Sequence, residues 1–98
     1  MIKKLNNQNI EECQYIPLNN NINYFYTPDL GLTAALISIG FELVSLDKEN
    51  PQKVLFIMKR QSDINEKANK YFSNQLMIPA RTFFDNVKML KSRIYNSL

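Results

Sequence analysis

Residues 23–40 read NYFYTPDLGLTAALISIG, and the architecture of the chain follows from them. Asn23-Tyr24-Phe25-Tyr26 reads as a short strand, because aromatic side chains suit a pleated surface. Thr27-Pro28-Asp29 reads as a helix start. Thr27 is placed to be the N-cap, Pro28 fits the first helical position, and Asp29 complements the positive end of the helix dipole. The helix is expected over Pro28 to Ile39, with Gly40 supplying the left-handed residue that ends it. It carries no charge after Asp29 and is apolar over most of its circumference, so it belongs at the centre of the domain.

Downstream, Phe41 to Leu46 reads as a strand, with Phe41, Leu43 and Ser45 on one face and Glu42, Val44 and Leu46 on the other. Asn50-Pro51 marks a turn. Val54 to Met58 is a continuous apolar run of strand length, which suggests the central position in a hairpin-containing sheet. Ser62-Asp63 opens a second helix. Asp63 with Glu66 resembles a capping box, with Ser62 as the alternative cap, and Ile64, Ala68, Tyr71 and Phe72 form its apolar stripe. Ser73-Asn74 ends it. Ile78-Pro79 starts the last helix, where Phe83, Val87, Leu90, Ile94 and Leu98 recur at helical spacing, the strongest periodicity in the chain. Leu90 and Ile94 are expected to pack on the Leu32/Leu36 side of the first helix or on the sheet; an exposed Leu90 would instead mark an oligomer interface. The order β-α-β-β-α-α describes an α+β domain, with three helices gathered on one face of a small antiparallel sheet.

Upstream, residues 1–21 are polar and rich in Asn. A short amphipathic helix fits Asn9 to Tyr15, with Ile10 and Cys13 on one side. Pro17 and Asn19-Asn20-Asn21 then punctuate the chain. The division expected is an N-terminal arm over 1–21 and one compact domain over 22–98. Lys3 and Lys4 are not followed by the long apolar core of a signal peptide, and no apolar run approaches the roughly 18 residues of a membrane span.

Several of these segments carry a family resemblance. Tyr26-Thr27-Pro28-Asp29, Gly40, Phe56, Tyr71-Phe72-Ser73-Asn74 and the helix from Phe84 through Tyr95 occur in an order that resembles a family of small proteins of phages and other bacterial mobile elements. The resemblance covers about residues 23–96. It implies a fold and a setting, the cytoplasm of a bacterial host or a virion, and it supplies no catalytic residues.

The residues argue against enzyme chemistry. One Cys and no His exclude a disulfide framework, a Cys/His zinc site and a Ser-His or Cys-His pair. Gly31 and Gly40 are the only glycines, so no phosphate-cradling glycine loop exists. Asp29 is explained as a helix-start residue and Cys13 as an inert thiol. Asp47 and Glu49 in the hairpin turn offer too few oxygens for a calcium loop. No cofactor and no metal are expected.

Binding is the better class, and the charge distribution shows where to look. Residues 1–53 hold four Lys/Arg against six Asp/Glu, whereas residues 54–98 hold eight against three. The basic half supplies Lys59, Arg60, Lys67, Lys70, Arg81, Lys88, Lys91 and Arg93 as phosphate contacts of a nucleic-acid surface. Arg81, Lys88 and Ser92 lie opposite the apolar stripe of the last helix, flanked by Lys91 and Arg93, while Asp85 weakens the field. Tyr24, Tyr26 and Tyr71 are candidates for base stacking or for packing. A nucleic-acid surface requires Lys59, Arg60, Lys88 and Lys91 on one contiguous exposed face. The alternative is a host or phage protein partner, met through Leu76 and Met77 in the last connection, through Met89 on the polar side of the last helix, or through the arm.

Overall fold

The computed structural model describes residues 22–96. Three strands, β1 (Tyr24–Thr27), β2 (Leu43–Asp47) and β3 (Leu55–Lys59), and three helices, α1 (Leu30–Ser38), α2 (Ile64–Phe72) and α3 (Ala80–Asn96), follow in the order β1-α1-β2-β3-α2-α3. The strands form one antiparallel sheet ordered β1-β3-β2, so the apolar run of β3 takes the central place. Phe56 and Met58 of β3 are buried under the helices. By the alternation of a strand, Leu55, Ile57 and Lys59 leave the opposite face, on which no helix lies among the described residues. The expected arm at 1–21, its helix, Cys13 and the terminal stripe residue Leu98 lie outside the described residues.

The start of α1 differs from the sequence reading. Thr27 is the last residue of β1 and is buried, Pro28 precedes the helix, and Asp29 is the N-cap. The Asp29 carboxylate accepts the Leu32 N–H at 2.8 Å, and the Thr27 hydroxyl accepts the Asp29 N–H at 3.1 Å. Both side chains suit a cap, but the strand register claims Thr27 opposite Phe56. Asp29→Ala is expected to lower stability by about 1 kcal/mol, read from urea unfolding, because it orphans a helix donor.

Both α1 and α2 end in the same way. In α1 the Gly40 N–H donates to the Ile37 carbonyl and the Phe41 N–H to the Leu36 carbonyl, with Gly40 at φ 109°. In α2 the Asn74 N–H donates to Tyr71 and the Gln75 N–H to Lys70, with Asn74 at φ 63°. These are Schellman ends, which need a residue at positive φ. The start of α2 is less regular. Asp63 occupies the N-cap position at φ −103°, ψ 12°, away from the extended backbone that aims a capping side chain, and it makes no side-chain cap bond, so the expected capping box does not form. Phe72, expected in the apolar stripe, is 63% exposed.

The alternation expected for β2 is broken by a bulge. Leu43 pairs with Met58 and Leu46 with Phe56, while Ser45 pairs with Ile57, which leaves Val44 as the extra residue. The bulge turns both Leu43 and Leu46 towards the helices, which strict alternation forbids, and leaves Val44 partly exposed.

The core lies between α1 and its neighbours. Leu32, Thr33, Ala34, Ala35 and Leu36 are all buried, because α2 flanks α1 on one side, α3 on the other and the sheet lies beneath. One cluster joins Leu32, Leu36, Phe41 and Met58 to Ile64 and Ala68 of α2; the other joins Ala34 and Phe56 to Leu90 of α3. Leu90 is therefore buried as expected and packs on the sheet at Phe56, meeting α1 at Ala34. Helices α1 and α3 run antiparallel. The Asn86 amide donates to the Ser38 hydroxyl at 2.9 Å, Leu90 packs on Ala34, and Leu30 and Ile94 line one cleft. Lys48, just past β2, fixes the far end of α3 by donating to the Arg93 and Ile94 carbonyls at 2.9 and 3.1 Å, a cation at the negative end of the helix dipole.

Candidate binding surface

The fold divides the basic residues between layers. Lys59 pairs with Tyr24 and leaves the sheet on its helix-free face. Arg60 is half-buried at the same end; its Nε donates to the Tyr24 carbonyl at 3.4 Å and its guanidinium lies 5.5 Å from the centre of the Phe25 ring. On α2, Lys67 is half-buried beside a cleft lined by Phe41, Gln61 and Met77, and Lys70 lies 3.6 Å from Glu66. Arg81, Lys88, Lys91 and Arg93 are exposed on α3, in the helix layer. Lys59 thus leaves by the face opposite the layer of Lys88 and Lys91, whereas Arg60 lies against Phe25, which packs on the helix side of the sheet.

The tyrosines also separate. Tyr24 and Tyr26 sit side by side on the helix-free face, ring centroids 6.5 Å apart and edge-on. Burial pushes the Tyr26 phenol above its ordinary pKa, helped by Tyr24 and then Asp47. Tyr71 packs edge-on against Phe72 and lies on the other side of the sheet, against α1. Burial, and then the Asp29 carboxylate, raise its phenol as well. Both phenols are neutral at physiological pH and act as packing groups.

The protein-partner residues are only partly exposed. Met77 is 86% exposed, whereas Leu76 is half-buried and plugs the α2–α3 connection beside Ile78. Met89, expected on the polar side of the last helix, is half-buried and packs on the Ala34/Phe56/Leu90 cluster. Met89 lies three residues after Asn86, which bonds Ser38 of α1, so the arc of α3 that faces α1 is wider than one apolar stripe.

The same helix presents an outward stripe that periodicity left unread. Phe84, Lys88, Lys91 and Tyr95 are all exposed, and their spacing of four, three and four residues puts them on one side of α3. Each follows a core-facing residue by one position: Phe83, Val87, Leu90 and Ile94. Phe84 is 59% exposed and Tyr95 72%. The Lys88 ammonium sits 5.4 Å from the centre of the Phe84 ring, a cation–π contact that holds the lysine stem along the stripe. Arg81 and Asp85, 3.8 Å apart, border its first turn. The signal is present in the sequence as a second series offset by one from the apolar series, with Lys88 and Lys91 marking it as the outward one.

No group of three His, Cys, Asp or Glu that could hold a metal ion occurs among the described residues. Asp29 is committed to its cap, and Asp47 accepts the Glu49 N–H at 3.0 Å. Among the described residues no helix is long and apolar enough to cross a membrane.

A three-stranded sheet with three helices on one face, and an aromatic-and-lysine stripe on the outermost helix, defines a small two-layer α+β domain. The chain belongs to the family described as "Domain of unknown function (DUF5659)", whose model matches residues 22–96. No curated protein and no solved structure matches it.

Proposed function

We propose that this domain is a non-catalytic binding module that recognises a protein partner through the outward side of α3. The observation that carries the reading is the stripe Phe84, Lys88, Lys91 and Tyr95, in which two large exposed aromatics bracket two lysines. Exposed aromatics on a rigid helix are the residue type that anchors protein interfaces, and charged groups beside them govern partner choice more than affinity. The resemblance to small phage and mobile-element proteins supports a role as an accessory protein, an inhibitor or adaptor, acting in the cytoplasm of a bacterial host or in a virion.

The nucleic-acid reading keeps Arg81, Lys88, Lys91 and Arg93 on α3 but loses Lys59 to the helix-free face of the sheet. The two readings separate in one experiment. The full chain is immobilised in host lysate with and without nuclease, and the Phe84→Ala and Tyr95→Ala variants are compared with wild type. Both variants are expected to keep stability within about 0.5 kcal/mol, as exposed sites do. A protein retained after nuclease treatment by wild type, and lost by the variants, is the expected result. Retention abolished by nuclease, with salt-sensitive binding to an oligonucleotide, returns the function to nucleic acid.

A further inference from the structure

We infer that the stripe on α3 docks an acidic amphipathic helix, one that brings two carboxylates to Lys88 and Lys91 and an apolar side chain to each of Phe84 and Tyr95. The inference rests on the reading of α3 as a protein-binding surface and goes on to the chemistry of the partner.

Length comes first. Phe84 and Tyr95 are eleven residues apart, about 16.5 Å along a helix, or three turns. A second helix laid along α3 matches that length, and its own side chains recur on one face every three or four residues, as Lys88 and Lys91 do. The order of chemistry along the stripe is apolar, cation, cation, apolar. Its complement is apolar, anion, anion, apolar, a pattern that one amphipathic helix carries.

The same order disfavours a second copy of this chain. A two-fold axis through the midpoint of the stripe, between Met89 and Leu90, would stack Phe84 on Tyr95 of the other copy. It would also set Lys88 opposite Lys91, twice over, and bring four like charges together at the centre of the contact. The aromatics permit that pairing and the lysines oppose it.

Nucleic acid fits the stripe less well. Duplex DNA presents one phosphate charge for about every 1.7 Å of axis. Against that density the stripe offers two lysines along its length, and the Arg81 charge beside it is partly answered by Asp85.

The test is selection from a displayed library of helical peptides of roughly 16 residues, long enough to span the stripe. The bait is the full chain, and the selected peptides are then bound to variants. Enrichment of Asp or Glu in pairs three or four apart, between apolar positions, is expected. Such peptides should bind the Lys88→Glu/Lys91→Glu double variant at least about tenfold more weakly, and the same peptides with Lys in place of the paired acids should recover binding to that variant. Peptides without paired acids that bind the double variant as tightly as wild type overturn the acidic-helix inference; if they still lose binding to Phe84→Ala, the protein-binding reading stands. Failure to select any peptide, together with an oligonucleotide whose low-salt binding disappears in the double variant, overturns both.

Discussion

Leu90→Ala is expected to destabilise the domain by about 2–5 kcal/mol, the range for truncating a buried leucine. Leu90 is completely buried and meets α1 through Ala34 and the sheet through Phe56. The small side chain of Ala34 leaves the room that Leu90 fills, and the cavity left by truncation adds to the lost burial. A domain of this size has about 5–15 kcal/mol in total, so the variant loses a large share of it. Each kcal/mol corresponds to about 4–8 °C in Tm for a domain of 60–100 residues. Phe84→Ala, six residues earlier and on the outward stripe, is the control, expected within about 0.5 kcal/mol of wild type. Equal losses in the two variants, measured by calorimetry, would mean that α3 is rotated from its described orientation.

The contrast between those two positions shows how much of the fold was legible. Element types and order followed from strong local chemistry: an uncharged helix after Asp29, a continuous apolar run at Val54 to Met58, and the series from Phe83 to Ile94. Positions where two residues compete for one role were not legible. Thr27 and Asp29 both suit a cap, and pairing with Phe56 in the sheet decided for Asp29. Leu43, Val44 and Leu46 cannot all be placed by alternation, and a bulge resolves the conflict in a way that only the partner strand dictates. Asp63 and Glu66 have the spacing of a capping box without the backbone angle that closes it.

The candidate surface was legible in composition and not in place. Eight cations in the second half of the chain suggested one basic face, but the face a side chain leaves by depends on the layer its element joins. Lys59 follows buried Met58 in a strand and so leaves by the helix-free face; Lys88 lies opposite buried Leu90 on a helix and leaves by the other layer. Met89 was misplaced for a related reason. A single helix taken alone has one buried stripe, whereas α3 meets α1 through Asn86 as well as Leu90, and its buried arc widens to include Met89.

Gly31→Ala is expected to lower stability by about 1–3 kcal/mol, the usual cost of overpacking, although glycine to alanine inside a helix normally stabilises by about 0.5–1 kcal/mol. Gly31 lies in α1 where α2 crosses, and a methyl group there would overlap the hydroxyl of Tyr71. The ring behind that hydroxyl packs against the Leu32/Leu36/Met58 cluster and edge-on against Phe72, so it yields only by disturbing the α1–α2 contact. The Tyr71 hydroxyl is the whole of the conflict, because the next ring atom, Cζ, would stand 3.4 Å from the new methyl, an ordinary contact. In a Tyr71→Phe background the same Gly31→Ala change should therefore be neutral or stabilising. The double-mutant cycle should show a coupling of about 1–3 kcal/mol, within the range for residues in contact. The two single variants and the double variant are compared by urea unfolding. Additive effects would place the Tyr71 hydroxyl away from Gly31, and with it the antiparallel seating of α2 on α1 that carries Ile64 and Ala68 into the core.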